Sequence, residues 1–177
     1  MNEISFAYGK AIYEIALEHN LVSDYLTQIE IVEGLLDQEL DKFLKAPSID
    51  NDTKKEVLIG SLKGFDPYML NFLSLIIDKK KQRYFKGIFE AYKSLAFEYL
   101  NIVVVKVFSA KKLEEAEKNK IIEGLKKKDS HKTYRIENIL DKSLLAGYKL
   151  VLHQQVIDTS LKKRINLLKE ELMKEGD

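Results

Sequence analysis

The hydrophobic period of the chain first changes just after Tyr99, and that change divides the fold. Up to Tyr99, apolar residues recur every three or four positions, the spacing of helices with one buried face. From Ile102 to Phe108 the sequence reads IVVVKVF, β-branched and almost continuously apolar, as expected of a strand covered on both faces. The 177 residues therefore predict a mainly α protein. An N-terminal six-helix bundle occupies residues 1–100, and a small α/β domain (strand, helix, strands, final helix) occupies residues 101–177.

Within the first part, Ile4, Ala7, Tyr8, Ala11, Ile12 and Ile15 place a helix at about residues 3–19, ended by Asn20. Val22, Leu26, Ile29, Val32, Leu36 and Leu40 follow as one second helix, and Phe43-Leu44 closes a short third element before Ala46-Pro47-Ser48. Asp50 or Asp52 caps a fourth helix through Val57, Leu58 and Leu62. Asp66 and Pro67 read as N-cap and first position of a fifth helix, running to about Asp78; proline there loses no intrahelical bond. A sixth spans about Gln82–Tyr99, with Phe85, Ile88, Phe89, Tyr92, Leu95 and Ala96 on its apolar side.

In the second part, Lys111–Lys128 is helical, with Leu113, Ala116, Ile121 and Leu125 inward. Thr133–Ile139 alternates Tyr134 and Ile136 with Arg135 and Glu137, and Tyr148, Leu150 and Leu152 alternate with Lys149, Val151 and His153. Leu152–Gln155 turns the chain into a short return strand at Val156-Ile157. Asp158 or Ser160 then caps a last helix from about Thr159, whose Leu161, Ile165, Leu168 and Leu172 are spaced 4-3-4.

The same residues exclude much chemistry. Without cysteine there is no disulfide, thiolate metal site or cysteine nucleophile. His19, His131 and His153 stand apart, with no partner at the i, i+4 spacing of a helical metal site. Glu114, Glu115 and Glu117, like Glu170 and Glu171, alternate with lysines on exposed helices, where nothing separates their pKa values for acid–base work. No glycine-rich phosphate motif occurs, and Ser160 has no base near it in sequence. Catalytic, cofactor-binding and metal-binding residues are all expected to be absent. Lys+Arg 29 against Asp+Glu 28 leaves a net charge of +1, a weak footing for nucleic-acid binding. MNEISFAYGK lacks the pattern of a signal peptide, and no segment approaches the roughly 20 apolar residues of a membrane span.

Three stretches carry a family resemblance. Asp141–Tyr148, DKSLLAGY, followed by Val156-Ile157-Asp158-Thr159-Ser160, resembles the C-terminal signature of the delta-subunit family of F-type ATP synthases, whose mitochondrial relative is the oligomycin-sensitivity-conferring protein (OSCP). Phe6–Ala16, FAYGKAIYEIA, is similar to the family's first helix, and Val107–Leu113, VFSAKKL, to its step from strand to helix. Phe43–Pro47, Asn71-Phe72-Leu73 and Arg83 fall in the same order. Thr159 departs from the family's usual glycine, and His153-Gln154-Gln155 replaces a glycine-containing turn.

The resemblance implies a non-catalytic stator subunit, peripheral on the cytoplasmic face of the membrane and reaching it only through the complex. It implies a groove between the first and fifth helices that accepts the N-terminal helix of an alpha subunit. In those helices the apolar residues exceeding a single face are Tyr8, Ala11, Ile12 and Ile15, and Leu73, Ile76 and Ile77, each of which fits either the groove or the core. It also implies that the C-terminal part joins the b-subunit stalk, for which Leu161, Ile165, Leu168 and Leu172 are the candidate contacts. No cofactor, nucleic acid or small-molecule substrate is expected. The alternative is a helical adaptor that binds RNA or anionic lipid through Lys79-Lys80-Lys81-Gln82-Arg83 and Lys126-Lys127-Lys128.

Overall fold

A computed structural model describes residues 2–127, 129–144, 147–152 and 155–158. The described chain divides after Leu100 into two compact units. The first is a helical bundle and the second a small α/β unit, so the fold is mainly α, as the period change predicts.

The bundle contains α1 (Glu3–Glu18), α2 (Val22–Leu35), α3 (Gln38–Lys45), α4 (Asn51–Gly60), α5 (Pro67–Asp78) and α6 (Phe85–Tyr99), with a 3₁₀ turn at Gln82–Tyr84. Short polar side chains begin four of these helices by accepting otherwise unpaired N–H groups: Asn2, Asp37, Asp50 and Asp66. Asp37 corrects the sequence reading. Its carboxylate accepts from Glu39 N at 3.0 Å and Leu40 N at 2.8 Å, so the apolar series from Val22 to Leu40 is two helices. Likewise, the sixth helix begins at Phe85, and Gln82 belongs to the tighter turn before it.

The α1–α6 contact is made by glycine. A Cβ on Gly9 would stand 2.5 Å from Ala91 Cβ and 2.7 Å from Ile88 O, and one on Gly87 would stand 2.5 Å from Ser5 Oγ. At Gly9 only hydrogen lets the two backbones approach so closely, and at Gly87 a Cβ would crowd the Ser5 side chain. Around them Ile12, Ala16, Tyr25, Ile29, Ile76, Ile77, Ile88, Phe89 and Tyr92 are fully buried. Tyr92 Oη donates to Val22 O at 2.8 Å, which ties the middle of α6 to the start of α2.

The second unit contains β1 (Ile102–Ser109), α7 (Glu115–Lys126), β2 (Thr133–Leu140), β3 (Tyr148–Leu152) and β4 (Gln155–Asp158). Its sheet order is β2-β1-β3-β4. β1 and β2 are parallel, with Val105 opposite Ile136, and α7 is the crossover between them. β3 lies antiparallel to both β1 and β4. Val105, Val107, Tyr134 and Leu150 form one core with Leu113, Ile121 and Leu125. Ala116, expected inward, is exposed, because the capped first turn of α7 lies outside that core. There Glu114 and Glu117 form a reciprocal capping box, a structural use for this acidic cluster. On the other face of β1, Val104 and Phe108 are half-buried and Lys106 is exposed.

Candidate partner-helix groove

α1 turns Ser5, Gly9, Ile12 and Ala16 into the bundle. The 4-3-4 spacing of these four residues fixes the helix's rotation and leaves a second apolar stripe on one flank. That stripe is Ile4, Tyr8, Ala11 and Ile15, of which Ala11 is exposed and the other three are half-buried. One turn beyond Ile15, the His19 ring stacks on Tyr68, with centroids 4.8 Å apart and an interplanar angle of 26°. The end of α1 is thereby joined to the first turn of α5.

α5 has a matching flank. Met69, Phe72, Leu73, Ile76 and Ile77 are buried, whereas Tyr68 is 50% and Leu75 45% exposed. Tyr68, Phe72 and Leu75 follow one another at 4-3 spacing, so a strip leads along α5 from the His19 contact. Partly exposed apolar flanks on two helices joined at one end are the elements from which a groove with an apolar floor can be built. Polar residues are exposed on the same two helices: Lys10 and Glu14 pair at 3.5 Å on α1, and Asn71, Asp78 and Lys79 are exposed along or just beyond α5.

The start of α5 is held from α2. Tyr25 Oη donates to Asp66 Oδ1 at 2.6 Å, and the same oxygen accepts from Tyr68 N at 2.9 Å. Asp66 N in turn donates to Gln28 Oε1 at 3.3 Å. Burial first, and then the Asp66 carboxylate, push the Tyr25 phenol far above its ordinary pKa. This tyrosine therefore stays a neutral donor that fixes the N-cap of α5.

Tyr8, Ala11 and Ile15 lie on the open flank of α1. Ile12, Leu73, Ile76 and Ile77 are each 0% exposed. These four have no surface to offer a partner and are core residues, which corrects the sequence expectation. Pattern reading missed Tyr68 and Leu75. Apolar residues occupy eight of the eleven positions from Tyr68 to Asp78, so the sequence leaves the rotation of α5 open. Only the packing against its neighbours fixes it. Leu161, Ile165, Leu168 and Leu172, like Thr159 and the His153-Gln154 turn, lie outside the described residues.

In the second unit the VFSAKKL step closes on a residue the sequence did not single out. Asn138 Oδ1 accepts from Leu113 N at 2.8 Å, while its Nδ2 donates to Val107 O at 3.0 Å and Ser109 Oγ at 2.7 Å. Ser109 Oγ then donates to Lys111 O at 2.7 Å. One amide thus pins β1, β2 and the entry to α7. Asp141, which opens the DKSLLAGY stretch, accepts from Ser143 N at 2.9 Å and turns the chain after β2. Gly147 takes φ +81 just before β3, a conformation that favours glycine. The polar residues here turn the chain. Among the described residues, no group of three or more His, Asp or Glu side chains converges as a metal site would require.

Comparison with known proteins covers nearly the whole chain. The family model described as ATP synthase delta (OSCP) subunit matches residues 4–172. ATP synthase subunit delta of Acetivibrio thermocellus is 34% identical over 176 residues, 98% of this chain and 99% of that protein. The subunit delta of Bacillus cytotoxicus is 30% identical over 169 residues, 94% of each chain. A chain in the cryo-EM structure of the Toxoplasma gondii mitochondrial ATP synthase hexamer shares the fold, with a TM-score of 0.67 at 20% identity, covering 97% of this chain and 98% of that one.

Proposed function

The chain belongs to the ATP synthase delta (OSCP) subunit family, and we propose that a groove between its α1 and α5 receives the amphipathic N-terminal helix of an alpha subunit. The family assignment makes it a non-catalytic coupling component of the peripheral stalk of an F-type ATP synthase. As such it is part of a membrane-associated complex. Among the described residues, no helix is long and apolar enough to cross a membrane.

The observation that carries the groove assignment is the second apolar stripe on α1, with Ala11 exposed and Tyr8 and Ile15 half-buried, on a helix whose end stacks through His19 on Tyr68 of α5. A helix seated there buries its own apolar face against a preformed floor and needs no cofactor. The bundle then holds the catalytic head, the C-terminal part joins the b-subunit stalk, and the two together resist rotor torque on the cytoplasmic side of the membrane during ion-driven ATP synthesis. Leu161, Ile165, Leu168 and Leu172 remain the proposed stalk contacts.

The test is calorimetric titration of the full-length protein with a peptide copying the first turns of the host's alpha subunit. Saturable binding at micromolar concentration, lost when the peptide's apolar face is made polar, is expected. Absence of saturable binding would remove the groove from the mechanism.

A further inference from the structure

A recess of about 750 Å³ opens between the α3–α4 connection and the Lys80–Arg83 segment that leads into α6. None of its lining residues belongs to α1, so it is not the partner-helix groove. Four of them are cations, Lys45, Lys54, Lys80 and Arg83, against one anion, Asp50. Asp50 is already engaged by Thr53, whose N–H and Oγ1 donate to it at 2.8 and 2.7 Å. Lys45 is paired with Asp41 at 2.6 Å.

Lys54 differs from these surface charges. It is 3% exposed, and its Nζ donates to Ala46 O at 2.6 Å. Among the described residues no carboxylate pairs with it, although buried ammonium groups ordinarily have a counter-ion because desolvating them is costly. Gln82, lining the same recess, is 9% exposed. Its Nε2 donates to Leu44 O at 2.8 Å, while its buried Oε1 has no hydrogen-bond partner. The recess therefore holds one unmatched buried cation and one unmatched buried acceptor. The ten-residue α4 also begins there and adds the positive end of its dipole.

We propose that this recess binds a phosphate ester carrying a free hydroxyl. The phosphate accepts from Lys54, with Lys80 and Arg83 at the rim, and the hydroxyl donates to Gln82 Oε1. A bare anion would answer Lys54 and leave the acceptor unmatched, and a bare cation would do the reverse. The volume suits a molecule larger than one phosphate, within the roughly 300–1,000 Å³ of small-molecule sites. This uses the Lys79–Arg83 run that the stator role leaves unassigned.

The experiment is an amide NMR titration of the full chain with glycerol 3-phosphate, AMP, inorganic phosphate, and vesicles of phosphatidylglycerol or phosphatidylcholine. Expected are saturable shifts at Asn51, Lys54 and the Gln82 side-chain amide, with the esters binding more tightly than inorganic phosphate. Lys54→Met should weaken binding about tenfold or more, as loss of a charge-assisted hydrogen bond requires. The exposed pair Lys80→Gln/Arg83→Gln should also weaken it, and serves if Lys54→Met does not fold. Lys126→Gln/Lys127→Gln, an equal loss of charge near the end of α7, should leave it unchanged. A response to phosphatidylglycerol vesicles alone would assign the same chemistry to a lipid headgroup. No saturable shift with any probe, or equal weakening by the α7 pair, would overturn the site.

Discussion

Tyr25 and Asp66, 41 positions apart, meet at 2.6 Å, and through this bond α2 sets where α5 begins. Asp66 caps α5 with the same oxygen, so one carboxylate answers both a buried phenol and a helix N-terminus. The flank of α5 that carries Tyr68 and Leu75 is oriented by this junction.

Tyr25→Phe removes the bond without changing shape. It should destabilise the protein by about 1.5–3 kcal/mol, the range for a hydrogen bond to a charged acceptor. Urea unfolding of the full chain measures this, and an unchanged midpoint would show that the bond contributes nothing net.

Alkaline stability should depend on the buried phenols. Burial holds both Tyr25 and Tyr92 protonated well above the value of 10.0 expected for an exposed tyrosine. A folded-state pKa above the unfolded one contributes stability that is fully present below the unfolded pKa and lost as pH rises through the folded one. Stability should therefore begin to fall above about pH 10. In Tyr25→Phe/Tyr92→Phe that fall should be shallower, as read from melting temperatures across pH 8.5 to 11.

Two glycine substitutions should act in opposite directions. Gly9→Ala forces a methyl to within 2.5 Å of Ala91 Cβ and 2.7 Å of Ile88 O. It should cost about 1–3 kcal/mol by prising α1 from α6. Gly34, in the last turn of α2, has no atom within 4 Å of an added Cβ, and Gly34→Ala should gain about 0.5–1 kcal/mol. Denaturant midpoints of the two variants check both signs.

Groove and core separate by substitution. Ala11→Asp and Leu75→Asp place a charge on exposed flanks and should abolish alpha-peptide binding with little change in melting temperature. Ile77→Asp places a charge at a 0% exposed position and should unfold the bundle. Full peptide affinity in Leu75→Asp would show that α5 does not contribute that face.

Asn138→Ala should loosen the second unit by about 2–3 kcal/mol, since Leu113 N and Ser109 Oγ both lose a buried partner. Faster amide exchange at Leu113 and along β1 would report it.

Much of this was legible from single residues. Asp66-Pro67 marked the start of α5 because capping and proline chemistry are local. The run from Ile102 to Phe108 marked β1 because β-branched residues fit a pleated, covered surface. The break at Leu36-Asp37 was not legible, since Leu36 and Leu40 keep the helical spacing across it. Asn138 was not legible either, because its three partners come from Val107, Ser109 and Leu113, far away in sequence.

By itself the sequence determined the kind of most of the described elements, the change from bundle to α/β unit near residue 100, and the family. Each of these rests on local periodicity or on motifs in a fixed order. Only the tertiary structure decided which apolar residues are core and which are groove. Ile77 and Leu75 are similar in chemistry and two positions apart, and one is sealed while the other is 45% exposed. The rotation of α5 separates them, and that rotation is set by packing against the bundle and by the hold of Tyr25 on Asp66.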